Sequence, residues 1–282
     1  GRACHMTGKM KVYRNLSAWF EDRGAILKKH RERGIGFVPT MGALHDGHLS
    51  LIRQAKAQNE LVIASIFVNP TQFNNPDDYA KYPSTLEADL RLAESAGCDV
   101  MLLPSKEDVY PDQYRYRVSE SEFSKILCGA HRPGHFDGVL TIVLKLFQIS
   151  QASRSYFGQK DYQQLELIRS MAKAFFLDLE VIGLPTVREA DGLAMSSRNL
   201  RLTPEDRKKA AMISQLLRQS FTEHKSAGFV ASELSKHGFR VDYVEDHPTG
   251  PSAELRRFVA AFLGDVRLID NMSAPEAARG TT

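Results

Sequence analysis

The sequence predicts an α/β protein: a Rossmann-like, doubly wound parallel sheet followed by a smaller α+β C-terminal unit. Three observations carry that expectation. Short β-branched runs at residues 35–38 and 61–68 alternate with amphipathic stretches of helical period. The run at 61–68 is close to fully apolar, as a strand buried on both faces is. The composition then shifts near residues 184–191, beyond which a charged helical segment begins.

Taken in order, an amphipathic helix spans residues 16–31 and leads to the strand at 35–38. A helix at 49–58 and the strand at 61–68 follow. Residues 77–96 read as one helix, 99–103 as a strand and 115–118 as a short edge strand. A mostly apolar helix covers 136–151, a brief strand 155–157, a helix 162–175 and a strand 180–182. Strands separated by helices require right-handed crossovers, which set the strands parallel with helices on both faces. In the second unit Thr203 caps a helix over 204–225 that starts at Pro204. A helix at 230–237, a strand at 241–244, a helix at 253–263 and a strand at 267–269 complete it. The expected division is residues 7–186 and 187–282.

Composition narrows the function. A net charge of +3 on 282 residues is too small to point to nucleic acid or an anionic membrane as partner. No apolar run is long enough to span a bilayer, and no signal-peptide pattern opens the chain. Cys4, Cys98 and Cys128 have no metal-binding spacing, so a reduced cytoplasmic setting is expected. The opening GRACHM reads as an expression scar ahead of a native start, which sets Cys4 and His5 aside.

Three segments carry chemistry. In FVPTMGALHDGHLS the strand at 35–38 meets a glycine turn and delivers His45 and His48 to the mouth of a helix. Helix N-termini offer free N–H groups and partial positive charge, which suit phosphate, and imidazoles add donors. Ligands of doubly wound sheets lie beyond such strand ends. Gly158-Gln159-Lys160-Asp161 repeats that setting after the strand at 155–157, with a lysine to neutralise phosphate. DGLAMSSRN, residues 191–199, places two serines and a forked cation at the junction between the units, where a loop can close over a triphosphate. Read singly, these segments leave open a polar loop for the first, a helix cap for the second and a polar linker for the third.

Together, and in this order, they resemble the adenylate-forming nucleotidylyltransferases. VPTMGALHDGH, IFVNPTQF, YPSTLEADL, RPGHFDGV, FGQKDYQQL, GLAMSSRN and RLIDN are similar, nearly end to end, to one family: the pantoate–β-alanine ligases, or pantothenate synthetases. The resemblance implies condensation of pantoate with β-alanine, ATP going to AMP and pyrophosphate through a pantoyl-adenylate. It implies an ATP site of Met41, Gly42, Ala43, Leu44, His45, Asp46, Gly47 and His48, with Gly158, Gln159, Lys160, Asp161, Val187, Met195, Ser196, Ser197 and Arg198. His45, His48, Lys160 and Arg198 are its catalytic candidates. Gln72 and Gln164 match pantoate contacts, and Gln72 also faces β-alanine. Asn69, Tyr82, Arg132 and His135 lie in matching segments and are expected along the same cavity, with a loop-stabilising role open for Arg132 and His135. Mg²⁺ accompanies the nucleotide, with Asp89 the matched carboxylate, and a homodimer is implied. Two departures stand out: Gln159 where the family commonly has glutamate, and a loop at 245–252 that looks short. A nucleotidylyltransferase acting on a phosphate-bearing acceptor and a silent nucleotide-binding module remain open alternatives. A tRNA-charging relative lacks support, there being no strong basic face.

Overall fold

The computed structural model describes residues 4–7 and 9–280. Strands β1 (Cys4–Thr7) and β2 (Met10–Tyr13) form an antiparallel pair at one sheet edge, and helix α1 (Leu16–His30) follows. Then come β3 (Ile35–Thr40), α2 (Asp46–Gln58), β4 (Leu61–Ile66), α3 (Pro76–Ala80), α4 (Leu86–Ala96), β5 (Val100–Leu102), α5 (Lys106–Val109) and α6 (Cys128–His131). Helix α7 (His135–Ser150), β6 (Arg154–Gly158), α8 (Tyr162–Ala174) and β7 (Glu180–Leu184) complete the sheet region. Among the described residues β2-β5-β4-β3-β6-β7 run parallel, with β1 outside β2. From β3 the chain winds one way to β4 and β5, then returns to the other side for β6 and β7. The switch point therefore lies between the carboxyl ends of β3 and β6, where ligands bind in doubly wound sheets.

Burial follows the pleat. Ile35, Phe37 and Ile63 pack with Trp19, Leu140 and Phe147 on one face, and Val38, Val62 and Ala64 pack with Leu49, Ile52 and Leu90 on the other. Both faces of β3 and β4 are thus covered, which accounts for their unbroken apolar runs. The remaining chain gives α9 (Pro204–Ala210), α10 (Met212–Thr222), α11 (Ala227–Lys236), and an antiparallel sheet of β8 (Arg240–Thr249), β9 (Glu254–Leu263) and β10 (Val266–Ser273), with α12 (Ala274–Ala278) last. A separate core of Leu193, Leu217, Val230, Leu234, Val259 and Leu268 fills this part.

Several sequence expectations are corrected. Residues 253–263 form β9 instead of a helix. This is the central strand of its sheet, buried on both faces, so Leu, Ala and Phe run on without the alternation that marks a strand. Gly264-Asp265 turns it directly into β10, with Leu263 paired to Val266. The supposed short loop at 245–252 is largely the end of β8, Glu245 to Thr249 pairing with Phe258 to Glu254. Residues 115–118 form no strand: Gln113 and Tyr114 take left-handed conformations, and Val118 N–H goes to Thr141 Oγ1 at 2.9 Å. The helix expected over 77–96 breaks before Pro83, which disfavours helix at the preceding residue. The one expected over 204–225 divides at Ala211. Strand β2 is an addition to the expected set, and Cys4, His5 and Met6 of the set-aside opening pair with it together with Thr7.

Candidate active site

The site begins where β3 ends. Thr40 Oγ1 donates to Ser65 O at 2.9 Å and accepts the N–H of Gly42 at 3.1 Å, turning the chain sharply. Gly42 has φ of +81°, and a Cβ there would meet Ile66 at 3.1 Å and Asp89 at 3.2 Å. Ala43 follows at φ of 49°, an unusual conformation for a side-chain-bearing residue. Asp89 holds it: its carboxylate takes the N–H groups of Ala43 at 2.8 Å and Leu44 at 2.9 Å, and the Thr85 hydroxyl at 3.0 Å. Across the turn, Ser197 Oγ donates to Ala43 O at 3.0 Å.

His45 then caps α2, accepting Gly47 N–H through Nδ1 at 3.0 Å, while His48 Nδ1 accepts the N–H of His45 at 3.1 Å. Two imidazoles here do the work that serine and glutamate do in the common capping box. Backbone N–H groups can only donate, so each Nδ1 is a lone pair and each Nε2 carries the proton. Burial lowers the pKa of His45 to about 4 and that of His48 to about 3. Lys160 adds to both, and His45 to His48. Both rings are therefore neutral donors at physiological pH.

The second wall comes from β6. Gly158 ends the strand, a 3-10 turn of Gln159–Asp161 follows, and α8 begins. The Lys160 ammonium sits 3.9 Å from Asp161, with 19% of its side chain exposed. The third wall is the loop before α9. Met195 N–H bonds Val187 O at 3.0 Å, and Ser196 Oγ accepts Arg198 N–H at 3.2 Å. Arg198 and Arg201 both grip Asp78 of α3, at 2.8 and 2.6 Å. Burial alone would raise the Asp78 carboxyl pKa, but the two guanidiniums hold it below the usual range.

The fourth wall is amide-lined. Gln72 ends a 3-10 turn that packs against α7, where Gly138 permits the approach: a Cβ there would lie 2.6 Å from Thr71 O. Asn69 Nδ2 donates to Gln72 Oε1 at 3.1 Å, leaving the Gln72 NH₂ edge for the cleft. His135 Nδ1–H donates to Gln72 O at 2.8 Å, and burial beside Arg132 keeps that ring neutral. Gln163 is buried, bonding Cys128 N, Phe123 O and Ile126 O, so its neighbour Gln164 is the one that faces the cleft. Arg132 makes no ion pair among the described residues; its nearest contacts are His135 Nε2 and Gln72 O, both at 3.5 Å. Burial, with Arg198 and Arg267 nearby, lowers its pKa to about 10.

One cavity of about 250 Å³ gathers these groups. Met41, His45, Gly47, His48, Gln72, Gly158, Lys160, Asp161, Gln164, Val187, Met195, Ser196, Ser197 and Arg198 line it, as do Asn69, Tyr82, Arg132 and His135. Gly42, Ala43, Leu44 and Asp46 form the turn and helix start behind it, and the Gln159 side chain does not reach it. Asp89 does not line it either. At 2% exposure, with both oxygens engaged, it holds the turn, so the expectation of Asp89 as metal ligand does not fit. No group of three or more His, Cys, Asp or Glu side chains fit to hold a metal occurs among the described residues.

A doubly wound sheet with a cationic cleft at its switch point defines a nucleotide-handling α/β enzyme. A family profile described as Pantoate-beta-alanine ligase matches residues 11–273. The chain is 58% identical to the pantothenate synthetase of Bdellovibrio bacteriovorus, over 95% of this chain and 99% of that one. It is similar in structure to the Francisella tularensis pantoate-beta-alanine ligase complexed with beta-gamma ATP and beta-alanine. There the TM-score is 0.86 at 42% identity, covering 94% of this chain and 98% of that one. The pantothenate synthetase of Thermus thermophilus gives 0.84 at 40% identity, over 93% and 99%. The chain belongs to the pantoate–β-alanine ligase family.

Proposed function

We propose that this chain condenses pantoate with β-alanine to give pantothenate, AMP and pyrophosphate through a pantoyl-adenylate. The observation that carries it is the convergence of His45, His48 and Lys160 with the amides of Gln72 and Gln164 on one cleft. A pantoate carboxylate oxygen attacks the α-phosphorus of ATP; the bond to the bridging oxygen breaks and pyrophosphate leaves. The task is to bring two anions together and to meet charge as it develops. The Nε2–H groups of His45 and His48 and the Lys160 ammonium do this from fixed positions, with the α2 mouth behind them. Neutral imidazoles donate hydrogen bonds here without giving up a proton.

The NH₂ edge of Gln72 and the amide of Gln164 take the pantoate oxygens. In the second step the neutral β-alanine amine attacks the acyl carbon, AMP leaves with the bonding pair, and the nitrogen gives one proton to solvent, keeping the other as the amide N–H. Arg132, a half-buried guanidinium with no carboxylate partner among the described residues, receives the distal carboxylate of β-alanine beside Gln72. A Mg²⁺ ion accompanying ATP would be held by the phosphates and water, no carboxylate cage occurring among the described residues, and would supply charge neutralisation there.

Residues 7–186 are the catalytic body and 187–282 the closing part, a division that the separate core beginning at Leu193 supports. Arg198, now held by Asp78, is the cation that closure brings to the phosphates. The working form we propose is a cytoplasmic homodimer. Among the described residues no helix is long and apolar enough to cross a membrane. Pantoate-dependent exchange between ATP and labelled pyrophosphate tests the reading. Exchange with a phosphate ester instead, or none with any acid, overturns it.

A further inference from the structure

The phosphate-side lysine is held from the far end of the chain. Asn271 in β10 is 2% exposed, and its Nδ2 donates to Gln159 O at 3.0 Å and Lys160 O at 2.8 Å. Its Oδ1 accepts from Arg256 Nη1 at 2.8 Å. Carbonyls only accept and guanidinium only donates, so the amide has one workable orientation. Arg256 is itself fixed: it pairs with Glu276 at 2.7 Å and lies 4.1 Å over the ring of Tyr162, the first residue of α8. Beside it, Asp270 grips Arg188 through two bonds at 2.6 and 2.9 Å and accepts Asn271 N–H at 2.7 Å. Every polar group of Asn271 that these bonds use is committed, and two of them end on the turn that presents Lys160.

We propose that Asn271 is a positioning residue for phosphate binding, clamping the Gln159–Lys160 backbone so that the Lys160 ammonium stays beside His45 and His48. The proposal rests on the reading of Lys160 as a phosphate contact. It also gives the departure at Gln159 a physical reason to be harmless. That position contributes its carbonyl to Asn271, while its side chain stays outside the cleft. The C-terminal sheet thereby sets the geometry of a group on the parallel sheet, besides closing over it.

The test uses the full chain carrying Asn271→Asp, which keeps shape and an acceptor for Arg256 but turns an acceptor oxygen toward two carbonyls. Asn271→Ser, which removes the reach without adding charge, serves as the second variant if the first fails to fold. Calorimetric titration with ATP and with pantoate is combined with pyrophosphate exchange. The expected result is an ATP Kd raised at least about fivefold and an exchange rate lowered about tenfold, with pantoate Kd within about twofold of the parent. A variant that melts lower yet matches the parent in ATP affinity and exchange reduces Asn271 to packing and overturns the proposal. If the parent binds ATP but exchanges with no acid, the ligase reading falls, and the ATP titration still decides the role of Asn271.

Discussion

His48 Nδ1 accepts the backbone N–H of His45 at 3.1 Å, and the two ring centroids stand 4.0 Å apart. Protonating His48 requires that lone pair, so the cap and the neutral state are one feature. Both native pKa values lie below 6.5, at about 4 and about 3, with burial the first cause. Between pH 6.5 and about 4 the unfolded chain therefore takes up protons that the native rings refuse. Stability falls as pH drops through that window, on the order of 1 kcal/mol per pH unit once the cleft-facing ring edges are discounted. His135, lowered by burial and Arg132, acts in the same direction. Thermal unfolding from pH 7 to 5 should show the slope, and His48→Gln should flatten it. Equal slopes in parent and variant refute the linkage.

Turnover should depend on the same ring. His48→Ala removes an Nε2–H donor aimed at the cleft and one half of the cap. We expect kcat to fall at least about tenfold, with about 1 kcal/mol lost from the helix start. Circular dichroism should show the fold intact. A kcat equal to the parent's removes His48 from the chemistry.

Gln164 lines the cleft from the helix that begins beside Lys160, while Gln163 is spent on backbone groups of the segment before α7. Gln164→Ala should raise the KM for pantoate well beyond that for ATP in steady-state assays. Equal rises in both would mean that the residue shapes the cleft as a whole and does not face the acid.

The parallel sheet and its strand-end donors were legible because each rests on local pattern: an apolar run, a glycine turn, a cap. His45, His48 and Lys160 each announce themselves within a few residues of a strand end. What was hidden depends on contacts distant in sequence. Met10–Tyr13 is a short run between lysine and arginine, and its pairing to Val100–Leu102 on one side and to Cys4–Thr7 on the other makes it a strand. Glu254–Leu263 carries good helix formers and becomes a strand because β8 and β10 flank it. Asp89 faces backbone N–H groups and Asn271 faces carbonyls only once the chain is folded, since an Asp or Asn in a helix or strand leaves no spacing signal of its partner.

That role for Asp89 has its own consequence. Asp89→Ala strands the N–H groups of Ala43 and Leu44 at a left-handed turn, and each such buried donor costs about 1–3 kcal/mol. The melting temperature should drop and the KM for ATP rise. The Mg²⁺ concentration giving half-maximal exchange should stay within about twofold of the parent's, because the carboxylate faces backbone and not the cleft. A large shift in that midpoint, with stability unchanged, would restore Asp89 as a metal ligand.

A substitution at Arg132 offers a test that separates the two half-reactions. Its guanidinium has no carboxylate within ion-pair distance among the described residues, while Arg198 is held by Asp78 and Arg267 by Asp242 at 3.0 Å. A half-buried cation left without a partner is poised for an anion that arrives with substrate. Pantoate's carboxylate is consumed at phosphorus in the first step, and on the proposed reading Arg132 receives the distal carboxylate of β-alanine in the second. Arg132→Lys keeps the charge but loses the fork, and should raise the KM for β-alanine about tenfold. Exchange between ATP and pyrophosphate needs only the first step and should persist near the parent rate. If exchange collapses while the β-alanine KM holds, Arg132 serves the nucleotide instead, and the distal carboxylate must find its partner elsewhere in the cleft.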